Sequence, residues 1–183
     1  MTSPIATPAL IRLADRIDRF NRTIGRAAAW LVLAVVVIQC AVILIRHVFG
    51  VGSIWLQEAA IYGHAALFML AAAWTLHADK HVRVDIFYSD ALPRSKALVD
   101  LFGAFLLLLP FMALILYFSL PYVARSVVVL EGSRETSGLP FVYLLKMLIP
   151  AFALLLGLQG VAQAIRAVAI LAQTRDRSEK DSA

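Results

Sequence analysis

Histidines are the side chains here whose spacing suggests chemistry. His77 and His81 stand four apart with Asp79 between them, a separation that sets two imidazoles on one helical face for a metal ion. A metal site needs a third strong ligand, and no adjacent residue supplies one. His47 and His64 fall on different apolar segments, the arrangement by which membrane cytochrome subunits hold haem between two spans. Both lie toward one end of their segments, which favours buried, hydrogen-bonded histidines over axial ligands. The single cysteine, Cys40, lies within an apolar run. It excludes disulfide frameworks, C-x-x-C redox motifs and cysteine-ligated clusters, and reads as a small core residue.

Stand-alone transport chemistry calls for ionisable groups or broken helices near the middle of a membrane. Glu58, Asp100, Arg46, Arg125 and Lys146 instead stand at the ends of the apolar runs. Only His64 and the uncharged Gln39, Thr75, Ser119, Gln159 and Gln163 interrupt the interiors. A pathway for ion or substrate therefore belongs to another polypeptide, which argues against a self-assembling exporter.

The elements that must carry these residues follow from composition. The chain has 183 residues, 61% of them hydrophobic, and a mean hydropathy of +0.81, beyond the range of water-soluble domains. Uncharged runs at Ala27–Ile45, Ala59–Leu76, Leu101–Ala124 and Met147–Ile165 each suffice, at about 1.5 Å per residue, to cross roughly 30 Å of hydrocarbon. Backbone groups in lipid must bond within their own segment, so the spans are helices, and the alternation of a β-barrel is absent. The expected fold is an all-α integral membrane protein forming one domain over 1–183. Its four transmembrane helices run over about 27–47, 55–76, 97–121 and 141–166.

Before the first span, Leu10, Leu13, Ile17, Phe20 and Ile24 recur at helical spacing, with Arg12, Arg16, Arg19 and Arg26 opposite. Residues 1–26 thus predict an N-terminal amphipathic interfacial helix, its arginines against anionic headgroups. No cleaved signal is expected. Gly50-Val51-Gly52-Ser53 predicts a tight first loop, and Asp85 a cap for a short interfacial helix ending before Pro93. Pro110 predicts a kink in span three. Glu131–Pro140 reads as a projecting polar loop, Lys146 as an ammonium snorkelling outward along its stem, and 167–183 as a tail, charged and unstructured after Arg175.

The net charge of +5 does not point to nucleic acid, because the basic residues follow the loops. Arg12, Arg16, Arg19, Arg22 and Arg26 precede span one; Lys80, Arg83, Arg94 and Lys96 lie in the second loop; Arg166, Arg175, Arg177 and Lys180 follow span four. The other side holds only Arg46, Arg125, Arg134 and Lys146. The positive-inside rule then places both termini and the second loop in the cytoplasm.

Several short motifs, in order, carry a family resemblance: Arg46 at the exit of span one, Trp55-Leu56-Gln57-Glu58 opening span two, and His81-Val82-Arg83-Val84-Asp85 followed by Pro93. Together they resemble the small membrane subunit of tripartite ATP-independent periplasmic (TRAP) transporters, the DctQ-like family, over nearly the whole chain. Gly138-Leu139-Pro140, Lys146 and Gln159-Gly160 are similar to a branch handling organic acids. Gln57-Glu58 stands where paired acids are frequent, so a role needing two carboxylates is not implied.

The resemblance implies a non-enzymatic scaffold in the bacterial inner membrane, with no cofactor of its own. Its partners would be a large multi-span permease subunit carrying the sodium and substrate sites, a periplasmic solute-binding protein, and membrane lipids. Arg46, Trp55, Glu58, His81, Arg83, Asp85 and Lys146 are the expected contact residues. The competing reading is a haem-binding or anchor subunit of a membrane oxidoreductase.

Overall fold

The computed structural model describes residues 8–79 and 92–181. They form α1 (Pro8–Ala29), α2 (Leu31–Phe49), α3 (Ile54–His77), α4 (Pro93–Phe102), α5 (Leu109–Val128) and α6 (Val142–Asp181), with a six-residue π-helical stretch, Gly103–Leu108, joining α4 to α5. No strand occurs among the described residues. Four helical stretches are long and apolar enough to cross a membrane: Pro8–Phe49, Ile54–His77, Arg94–Val128 and Val142–Thr174.

Local chemistry accounts for the boundaries. Gly50 ends α2 at φ 68°, where its N–H donates to the Arg46 carbonyl at 3.1 Å; a side chain would strain that left-handed cap. Ser53 opens α3 by accepting from the Leu56 N–H at 3.4 Å. The expected tight loop is thus present. Pro93 occupies the first turn of α4, where a missing N–H costs nothing. Pro110 cannot donate to a carbonyl in the preceding turn, and the π-helical stretch lies directly before it, with Leu109 N–H reaching back to Ala104 O. The widened turn is how this span absorbs its proline.

One boundary differs from expectation. α6 continues to Asp181, so residues 167–181 are helical rather than a free tail. α3 runs Ile54–His77 beside the expected 55–76; it starts ahead of the uncharged run at Ala59 because the Ser53 cap and the polar Gln57-Glu58 belong to its first turns.

Packing runs through α6, which meets α1, α3, α4 and α5; α3 also meets α1 and α2. A core of Ala73, Met112, Ala153, Leu155 and Leu156 joins α3, α5 and α6, with Ile24 of α1 against it. Since lipid is as apolar as leucine, close approach of small residues must supply much of the helix association. A Cβ at Gly63 would sit 2.8 Å from Val35 Cγ2, and one at Gly25 would overlap the Trp74 side chain. α2 touches α3 along one line, beyond that meets only α1, and is otherwise exposed.

α1 packs differently from the simple amphipathic reading. Ile17 is buried, but Leu10, Leu13 and Phe20 are exposed, and the face turned to the bundle is Ala14, Asp18, Asn21, Gly25 and Ala28. The helix carries three stripes: arginines, exposed apolar residues, and a small polar face that packs. Cys40, expected in the core, is exposed on α2.

Candidate functional site: two polar fasteners

Two groups of polar side chains tie the bundle together, one at each end. At the end where α1 starts and α6 leaves, Gln159 is fully buried at 0% exposure and Asn21 at 1%. Gln159 Oε1 accepts from Asn21 Nδ2 at 2.8 Å, and Gln159 Nε2 donates to Asp18 Oδ1 at 2.8 Å. Asn21 Nδ2 also reaches the Leu155 carbonyl at 3.3 Å. His77 Nδ1 lies 3.2 Å from Asp18 Oδ1. Arg166 pairs with Asp18 Oδ2 and, at 3.0 Å, with Asp15 Oδ1. One carboxylate therefore gathers donors from α3 and α6 onto α1.

That geometry explains why Asp18 stays on a buried face. A carboxylate removed from water is tolerated when its oxygens are paired and hydrogen-bonded, and here both are. Asn21 Oδ1 is the exception, a buried oxygen without a partner. Between α3, α4 and α6, a cleft of about 390 Å³ opens beside the cluster, lined by His77, Lys96, Asp100, Gln163 and Arg166 among others.

At the opposite end, Glu58 on α3 holds the loop between α5 and α6. Its Oε1 accepts from Ser133 Oγ at 2.5 Å and its Oε2 from the Leu139 N–H at 2.6 Å. Ser133 N–H in turn donates to Leu139 O at 3.0 Å, closing the loop on itself. Gly138 is required there, since a Cβ would run into Ser133 and the Glu58 carboxylate. A second tie lies beside it. Glu131 Oε2 accepts from Lys146 Nζ at 2.5 Å and from Ser126 Oγ at 2.7 Å, while the ammonium sits 4.3 Å from the centre of the Tyr122 ring. The Lys146 hydrogen bond and the Ser126 hydroxyl hold the Glu131 carboxyl below the ordinary carboxylate value.

The expected contact residues divide accordingly. Glu58 and Lys146 sit in the loop fastener, so Lys146 pairs with Glu131 instead of snorkelling alone. Trp55 is 52% exposed and Arg46 is exposed, and neither belongs to a cluster. His81, Arg83 and Asp85, and the cap assigned to Asp85, lie outside the described residues, as does the second histidine of the His77–His81 pair. His77 itself bonds to Asp18. No group of three possible metal ligands occurs among the described residues.

The haem pair fails on distance. Val35 packs against Gly63, so His64 lies level with the start of α2 while His47 lies near its end, about 20 Å away along the axis. One iron cannot bond both. His64 is also exposed rather than buried, and stands near the middle of α3 rather than toward one end. Local sequence patterning singles out neither Asp18 nor Asn21; Gln159, a polar residue inside an apolar run, is the available signal.

No curated protein and no solved structure matches the chain. A family model described as "Tripartite ATP-independent periplasmic transporters, DctQ component" matches residues 35–170, from within α2 well into α6. The match spans most of the chain, taking in the Glu58 and Lys146 loop fastener and Gln159 and leaving out α1, and on that ground the protein belongs to the DctQ component family of tripartite ATP-independent periplasmic transporters.

Proposed function

We propose that the chain is the small permease subunit of a TRAP transporter, a scaffold for the large subunit that carries the sodium and substrate sites. In this reading a periplasmic binding protein delivers an organic acid, and the complex sits in the bacterial inner membrane. Both termini of the small subunit and the segment around His81, Arg83 and Asp85 face the cytoplasm, and the Glu58-held loop faces the periplasm.

One observation carries the reading. Of the buried polar side chains, Asp18, Asn21 and Gln159 bond to one another between α1 and α6, Ser126 holds Glu131 of the following loop, and Ser119 bonds to the Leu116 carbonyl of its own helix. These bonds stay within the chain and three of the five groups tie helices together, whereas a carrier directs such groups toward a shared site near the midplane. A rigid frame suits a partner in which one part must stay still while another moves. Trp55 and Arg46, exposed at the periplasmic ends of α3 and α2, are the contacts assigned to the large subunit or to lipid headgroups, and Glu58 and Lys146 act by shaping the loop.

Co-purification tests the assignment. A tagged chain co-expressed with the large membrane subunit of its transporter is expected to bring that subunit down at near-equal stoichiometry in mild detergent. Purification of the small chain alone, with the large subunit intact in the same membranes, would overturn the proposal.

A further inference from the structure

Polar side chains at the middle of exposed helix faces mark where a partner must sit. α3 runs Ile54–His77, so His64 is close to its midpoint, and Gln39 is next to the central residue of α2, Leu31–Phe49. Both are exposed. On α3, Gln57, Ile61, His64 and Phe68 recur at helical spacing along one face, with Ile61 59% and Phe68 70% exposed. Among the described elements α3 meets only α1, α2 and α6, and that stripe is turned away from all three.

The two polar groups share a side. Val35 against Gly63 fixes the line where antiparallel α2 and α3 touch. Counting about 100° per residue from that line sends Gln39 and His64 to the same flank of the pair, opposite the flank that α6 covers. Along the axis they are separated by about 7 Å, a little over one helical turn. A single helix laid in the α2–α3 groove meets both.

Lipid tails do not fit this face chemically. A carboxamide offers two donors and an acceptor, an imidazole at least one donor, and hydrocarbon answers neither. The occupant needs hydrogen-bonding side chains about one turn apart within the membrane-spanning part of this face. That is the character of carrier helices, which bear polar residues near the midplane. Resting on the small-subunit reading above, the geometry points to the α2–α3 face bearing Gln39 and His64 as the docking surface for a polar-centred transmembrane helix of the large subunit.

A photo-crosslinking amino acid placed singly at Gln39, His64, Phe105 or Phe118 in the co-expressed complex tests this. The last two are exposed positions on the α5 side. Adducts to the large subunit from Gln39 and His64, at least ten-fold above those from Phe105 and Phe118, are the expected result. His64→Leu together with Gln39→Leu should insert normally yet lower recovery of the large subunit at least five-fold. Adducts between two copies of the small chain, adducts confined to the α5 side, or none at all from a complex that co-purifies would each overturn the docking surface and leave the scaffold reading standing. Failure of the unsubstituted chain to co-purify with the large subunit would overturn both.

Discussion

Gln159→Leu probes the buried fastener with little change in volume. The substitution removes the acceptor of the 2.8 Å bond from Asn21 and the donor of the 2.8 Å bond to Asp18. Asn21 keeps only the Leu155 carbonyl at 3.3 Å, and Asp18 keeps Arg166 and His77. A neutral hydrogen bond is worth about 0.5–1.5 kcal/mol net and one to a charged group about 1.5–3. Interhelical bonds inside membranes average nearer ~0.6 kcal/mol, because separated helices find other partners in lipid. The aqueous values apply here, since undocked α1 would expose Asp18 and Asn21 to water beside its arginines. The expected cost is about 2–4 kcal/mol, of which the lower bound already shifts the docking of α1 roughly 30-fold. Hydrogen exchange at the amides of residues 14–25, measured in a nanodisc, reads this shift directly. Asn21→Leu with Gln159→Leu should cost less than the sum of the two, because each strands the other's group. Exchange in Gln159→Leu within about three-fold of the parent, against the ~30-fold expected, would refute the claim that these bonds hold α1.

Three further outcomes follow from the geometry. Glu58→Ala should free the loop at Ser133 and Leu139 and raise proteolysis between residues 131 and 140 by an order of magnitude, from the loss of about 2 kcal/mol of charge-assisted bonding; an unchanged cleavage rate would show the loop stands without it. The Glu131–Lys146 tie should respond to acid with a definite sign. Its carboxyl is held below the ordinary value of 4.5, so the stabilisation is fully present above that value and lost as pH falls through the lowered one. Loop protection should therefore drop in acid more steeply in the parent than in Glu131→Gln, which keeps only the Glu58 carboxylate on the loop; a loss on raising pH, or identical profiles, would contradict the assignment. Gly25→Val should push α1 off Trp74 at a cost of about 1–3 kcal/mol, seen as faster exchange in α1 while α5 is unaffected.

How far the fold could be read in advance depended on whether the signal was local. Run length and loop charge sufficed for four spans, because the hydrocarbon thickness sets both. Depth within a helix was less legible: hydropathy drops at Gln57-Glu58, so counting from the apolar run at Ala59 makes His64 look peripheral when it is central. Cys40 read as core because a helix apolar all round looks buried, and in lipid the same pattern marks an exposed one. Asp18 and Asn21 carried no signal in the pattern of α1. Their partner Gln159 lies 138 residues beyond Asn21 in the chain, and no periodicity reports a contact of that range. Glu58 was legible as a residue of interest, but its target, the Leu139 amide 81 residues on, was not.

The central claim is that this chain frames a transport pathway carried by another subunit. Uptake into proteoliposomes under an inward sodium gradient, with the proposed binding protein and an organic acid it binds supplied outside, tests it most directly. Transport is expected when both membrane subunits are present and none with either one alone. Full-rate uptake by the large subunit without this chain, or any uptake by this chain alone, would contradict it.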